Sequence, residues 1–234
     1  MEEEAASLFG RCGSLCGSDT RISASLCPRR ASVDFLPYPV TSADRLTVSH
    51  FRKSLPKPLR ADFDESVEAV MTSECLFSTD RVTQGHLIIG ACVVSAHRVW
   101  MRQHLDPEEA KAKVAVPMSS LWKRSLRIMM RLLSFFSRDE FEALRRYTKE
   151  RGASAFGPSF EIEYVEIEEG FVSEVHTCGY SSFLKRHDAT LLLDLFCDWD
   201  RIWIDALSSN VSFHRPPTQA HGGRTCRFEF RRRS

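Results

Sequence analysis

Residues 160–177 read FEIEYVEIEEGFVSEVHT, and this stretch decides the fold. β-Branched and aromatic residues flank Glu169-Gly170, so residues 160–168 and 171–177 are predicted as two strands joined by a tight glycine turn. Beyond this hairpin, residues 181–186 are predicted as one or two helical turns. Residues 189–207, ATLLLDLFCDWDRIWIDAL, read as a single strongly apolar helix. Two further strands are expected at 211–215 and 224–231. The alternation of the second places Cys226, Phe228 and Phe230 on one face and Thr225, Arg227 and Glu229 on the other.

N-terminal to the hairpin the period changes from two to that of helices. Phe63, Val67, Val70 and Met71 recur at helical steps after Asp62 or Asp64 as a cap. Residues 84–105 are apolar over most of a helix circumference, which suits the centre of a helical layer. Asp106-Pro107-Glu108-Glu109 starts another helix: Asp caps, Pro fits the first helical position and the acids suit the helix dipole. Pro117 is expected to interrupt it, and residues 122–136 to resume with Leu126, Met129, Met130, Leu132 and Leu133 against Lys123, Arg124, Arg127 and Arg131. A short polar helix is expected at 138–149. Residues 1–58 lack sustained periodicity, are rich in Ser, Arg, Gly and Pro, and are read as a disordered or targeting-like tail. The expected fold class is therefore α+β. A single domain at 59–234 packs an N-terminal helical layer on a small antiparallel sheet of about four strands, with one long apolar helix between the second and third strands.

Composition narrows the function. Of 234 residues, 32 are Lys or Arg and 31 Asp or Glu, a formal net charge of +1 that supplies no global field for nucleic acid or an anionic membrane. The basic clusters Lys123 to Arg131 and Arg231 to Arg233 read as solvated faces and a basic tail. The longest apolar stretch, LIIGACVVSA at 87–96, is about half of the ~20 residues that a spanning helix needs. The opening Met1-Glu2-Glu3-Glu4 is no secretory signal, so a cytoplasmic location is expected, or an organellar one if the tail acts as a transit peptide. The eight cysteines then read as free thiols. Cys12, Cys16 and Cys27 are incidental, and Cys75 and Cys92 are core filler.

The remaining three carry the chemical interest. Cys197 and Asp200 share one stripe of the apolar helix with Leu193 and Ile204, so the carboxylate faces protein and needs a partner or a raised pKa. Pairing with a surface Arg is the plain alternative. Cys226 faces the core side of its strand, Cys178 ends the hairpin, and both can approach Cys197. Their separations do not match the Cys-x-x-Cys knuckles of structural zinc, so no cofactor is expected, with zinc as the alternative. The loop Thr218-Gln219-Ala220-His221-Gly222-Gly223 carries two glycines that permit a positive φ or close approach to a ligand. His176, His214 and His221 lie near these elements as candidate acid–base groups.

Cys178-Gly179-Tyr180, Leu195-Phe196-Cys197-Asp198-Trp199-Asp200 and the closing Thr218-Gln219-Ala220-His221-Gly222-Gly223-Arg224-Thr225-Cys226-Arg227-Phe228-Glu229-Phe230 resemble the L-2-amino-thiazoline-4-carboxylic acid hydrolase family. That pattern has a Cys with a nearby aromatic, a helical Cys-x-x-Asp, and Thr-x-Ala-x-Gly followed by Cys-x-Phe-x-Phe. Gly179 stands where a proline is common. The resemblance implies hydrolytic opening of a cyclic amidine to a carbamoyl-cysteine. It gives Cys197 or Cys226 the nucleophile role, Asp200 orientation or proton transfer, and Cys178 support. Thr218, Gly222, Gly223 and Tyr180 are implied to bind the substrate. The expected partner is a small molecule, with no nucleic acid and no membrane; oligomeric state is left open. The alternative is a non-catalytic small-molecule or metal-binding module with a three-cysteine pocket.

Overall fold

The computed structural model describes residues 40–74, 77, 80–207 and 210–233. The expectations for the tail up to residue 39, including Cys12, Cys16 and Cys27, and for Cys75 lie outside the described residues. The start of the domain is corrected. Residues 42–54 form helix α1 (Ser42–Ser54), opened by a capping box in which the Thr41 side chain accepts from the Asp44 amide and the Asp44 carboxylate accepts from the Thr41 amide. Val48, Phe51 and Leu55, at helical spacing, are buried in the main core. These three supply the buried face, while Leu46 stays exposed.

Helix α2 (Arg60–Ser73) buries Phe63, Val67, Val70 and Met71, as their spacing predicts, but starts without a side-chain cap. Helix α3 (Arg81–Met101) is capped by Asp80, whose carboxylate accepts from the amides of Val82 and Thr83. It runs through the centre of the helical layer, in contact with its neighbours on several sides. Helix α4 (Pro107–Ser120) opens on the Asp106 and Glu109 capping box. Pro117 does not break it: lying one turn from the end, it removes one late hydrogen bond and the helix still reaches Ser120. Helices α5 (Lys123–Phe136) and α6 (Glu140–Phe156) follow, the second longer than expected and capped by Asp139.

Strands β1 (Glu161–Ile167) and β2 (Gly170–Thr177) form the expected hairpin, with the turn one residue earlier, at Glu168-Glu169. Glu169 adopts the positive φ of 58°, while Gly170 is required for another reason. A Cβ there would lie 2.3 Å from the Phe230 carbonyl oxygen across the sheet. Strands β3 (Val211–His214) and β4 (Cys226–Arg232) complete an antiparallel sheet of order β1-β2-β4-β3. Phe171, Val211 and Phe230 pack on Phe141 and Leu144 of α6, forming a second core.

The predicted single helix at 189–207 is instead three pieces. A 3₁₀ turn at Thr190–Leu192 leads into α8 (Leu193–Trp199), then α9 (Arg201–Ile204), with Asp200 at the junction. The short α7 (Gly179–Arg186) precedes them and packs against α3. The Trp199 indole N–H donates to the Leu121 carbonyl at 2.9 Å, anchoring this layer to the end of α4.

Candidate active site

Strand pairing brings the first two thiols together. Cys226 opens β4 opposite Val175 of β2, and Cys178 follows the end of β2 as the residue before α7. Helix α8 lays Cys197 over Cys226, and the junction after α8 adds Asp200. Cys197 and Cys226 are buried and Cys178 is half-buried; all are free thiols. The stripe predicted for Cys197 and Asp200 is therefore realised, although the helix carrying it is broken.

Arg215, just beyond β3, ties this group to the backbone. One guanidinium nitrogen donates to the Cys197 carbonyl at 2.7 Å and another to Asp200 Oδ2 at 3.1 Å, while the plane lies over the Phe228 ring. Asp200 thus pairs with an arginine, as the plain alternative had it, though Arg215 is itself mostly buried. Burial nevertheless raises its pKa from the ordinary carboxylate value to about 6, with the Arg215 charge and hydrogen bond working in the other direction.

The thiols are unequal. Cys226 is lowered to about 7, chiefly by its side-chain interaction with Cys197, helped by the Gln219 amide at 3.3 Å and the charge of Arg215. Cys197 is driven up by the same interaction with Cys226, and burial adds to this. The Thr218 hydroxyl and Arg215 oppose the rise. Cys178 is raised by burial, against the pull of the Ser181 and Tyr180 amides. This arrangement favours negative charge on Cys226 and the proton on Cys197.

The 218–223 loop meets this thiol pair through Thr218 and the Gln219 amide. Thr218 is buried, its hydroxyl hydrogen-bonds His221 Nδ1 at 3.1 Å, and its carbonyl accepts from the amides of His221 and Gly223. The amide of Gly223, a residue implied to bind substrate, closes the loop on the Thr218 carbonyl. A Cβ on Gly223 would strike the Pro217 carbonyl, whereas Gly222, at φ 82°, has open space around it. The Gln219 side chain pins the loop to β2 by donating to the His176 carbonyl at 2.9 Å. His176 pairs with Glu163 on the exposed face, and His214 sits opposite Glu229 at the end of β3.

Tyr180 reaches in a different direction. Its ring stacks on Phe196, 4.2 Å between centroids, and its hydroxyl shares a 2.7 Å hydrogen bond with His86 Nδ1. Burial holds His86 down to about 4, so its imidazole is neutral. Both residues line a cleft of about 460 Å³ with Phe77, Ser159, Gly179 and Arg186. Another cleft, of about 470 Å³, lies at Arg138, Glu140, Asn210 and Arg232. Neither of these two is lined by the three thiols. Among the described residues, no group of three or more His, Cys, Asp or Glu side chains is placed to hold a metal ion.

The family model for L-2-amino-thiazoline-4-carboxylic acid hydrolase matches residues 86–230. The chain belongs to that family. The match takes in α3 from His86 onward, the whole hairpin, and every one of Cys178, Tyr180, Cys197, Asp200, Thr218, Gly222, Gly223 and Cys226. No match is found among curated proteins or among solved structures. Arg215, Gln219 and His86 also lie within the hydrolase-family region, and the sequence reading did not single them out as site residues. Arg215 carried a usable signal: it is the basic residue at the end of a predicted strand, before Pro216, when Asp200 required a partner. No helix among the described residues is long and apolar enough to cross a membrane.

Proposed function

We propose that this protein is a small-molecule hydrolase that opens a cyclic amidine of the 2-amino-thiazoline type, with Cys226 as the nucleophile. One observation carries the reading: the buried thiols of Cys197 and Cys226 interact beside the Asp200–Arg215 pair, an interaction that lowers Cys226 and raises Cys197. The carbon between sulfur and nitrogen in such a ring is electrophilic, and a thiolate with a pKa near neutrality is both populated and nucleophilic.

In the first step a bond forms from Cys226 Sγ to that carbon, and one electron pair moves onto the adjacent nitrogen. The ring C–S or C–N bond then breaks, and the departing atom takes a proton, which Cys197 or the Asp200 carboxyl supplies. Water adds to the same carbon and expels the Cys226 thiolate, leaving a carbamoyl group on the cysteine product. The sum is substrate plus one water. Asp200, while ionised, also complements the positive charge of a protonated amidine, and Arg215 fixes its orientation. Cys178 and Thr218 hold the thiol pair in place, and Tyr180 frames the approach from the neighbouring cleft.

The test is turnover of 2-amino-thiazoline-4-carboxylate by the full chain, followed by free-thiol titration and by detection of the carbamoyl product. Cys226→Ser should lower kcat by at least ~10²-fold, the scale of losing an activated nucleophile. Wild-type rates in Cys226→Ser, Cys197→Ser and Asp200→Asn together would overturn the assignment. The burial of Cys197 and Cys226 favours one second reading, a non-catalytic binding module. It requires saturable ligand binding without any product.

A further inference from the structure

Helix α5 has three faces rather than two. Leu126 and Met130 turn toward the protein, Met130 being buried. A second arc carries Ile128, Met129, Leu132, Phe135 and Phe136, all exposed, the two phenylalanines at 81% and 77%. The third arc carries Lys123, Arg124, Arg127 and Arg131, all exposed, with Arg138 just beyond the helix. None of these five cations forms an ion pair among the described residues, and α5 contains no acid. Asp139 and Glu142, which follow, are already paired with Arg232.

Solvated basic residues alone would be an ordinary surface. Five large apolar side chains left in water on the adjoining arc are not, because burying them is favourable wherever an apolar phase is available. We infer that α5 is a peripheral membrane-docking helix that lies in the interface of an anionic lipid surface, its apolar arc among the acyl chains and its basic arc on the headgroups. Charge complementarity selects this occupant. A second copy of the chain seated on the same arc would set one unpaired basic arc against another, whereas an anionic bilayer offers an apolar interior and negative headgroups at the spacing of one helix radius. The near-neutral whole-chain charge conceals the feature, since the basic groups are concentrated on one helix.

The full chain is sedimented with vesicles of phosphatidylcholine alone and with vesicles that also contain phosphatidylserine. It should pellet with the second and stay in solution with the first, and added salt should release it. Arg124→Glu with Arg127→Glu should weaken partitioning by about tenfold or more. Phe135→Ser with Phe136→Ser should abolish it, and because both rings are exposed the thermal melt should not move. Absence of pelleting with the anionic vesicles overturns the inference, as does pelleting that survives the double phenylalanine change. A dimer in light scattering that this change dissolves, without vesicle binding, assigns the arc to a second copy instead; binding only to an acidic protein would equally overturn it.

Discussion

Cys197 and Cys226, brought from a helix and a strand 29 residues apart in sequence, form an interacting pair of buried thiols in which Cys226 is lowered and Cys197 raised. An asymmetric pair of this kind makes one thiol reactive at the expense of the other. Alkylation with iodoacetamide should label Cys226 first, with a rate that rises through a midpoint of about 7. Cys197→Ala removes the interaction, so the midpoint should move up toward that of an ordinary thiol. Mass spectrometry of the labelled peptides reads both.

Asp200 gives a stability signature opposite to that of most surface carboxylates. Its folded-state pKa of about 6 lies above the ordinary value of 3.8, so between these limits the folded chain holds a proton that the unfolded chain has lost. The unfolded state then binds fewer protons, and this group's contribution falls as pH rises from about 4 to about 6. Asp200→Asn should remove that slope from urea midpoints measured across the window. An unchanged slope would show that Asp200 is not the group responsible.

Arg215→Met should be more damaging than a change at an exposed arginine. It strips the partner from Asp200 and the donor from the Cys197 carbonyl, both within hydrogen-bond distance. A loss of about 2–3 kcal/mol is expected from breaking a largely desolvated pair, read as a lower urea midpoint. The Cys226 alkylation midpoint should rise with it, since the guanidinium charge favours the thiolate.

A chain that begins at residue 59 should fail to fold. Phe51 is fully buried in the core shared with α2 and α3, and its removal as Phe51→Ala should cost about 3–5 kcal/mol. Thr41→Ala, which opens the capping box, should cost only about 1 kcal/mol. Thermal melts rank the three.

Gly90 sets the distance between α3 and α7. A Cβ at this position would lie 2.7 Å from the Phe183 ring, so Gly90→Ala must push the two helices apart. A destabilisation of about 1–3 kcal/mol is expected, and Phe183→Leu should restore part of it by yielding the space.

How far the sequence discloses these features depends on whether the signal is local. The hairpin around Glu169-Gly170, the Asp106-Pro107 helix start and the inward face of Cys226 all follow from residues within a few positions of one another. The breaks in 189–207 do not, because a continuous apolar pattern is equally compatible with one long helix and with short pieces that turn around a thiol. Helix α1 was obscured by its Ser- and Arg-rich composition and by Pro56 and Pro58, although Thr41 and Asp44 stand at capping-box spacing. Within the site, the three thiols and Asp200 could be gathered from pattern and resemblance. The partner of Asp200 left only the faint trace of a basic residue after a predicted strand, since Arg215 lies 15 residues away and only the return of β3 brings it back.

Strand β4 is hydrogen-bonded on both sides, to β2 and to β3, whereas α8 and α9 are short and joined through an irregular residue. Deuterium exchange should accordingly be slowest in the amides of β2 and β4 and faster across residues 193–204. The two sulfurs then belong to regions of different persistence. Cys226 opens β4, where only β2 flanks it, and Cys197 rides on the short α8, so a transient excursion of α8 would by itself uncover Cys226 to small molecules.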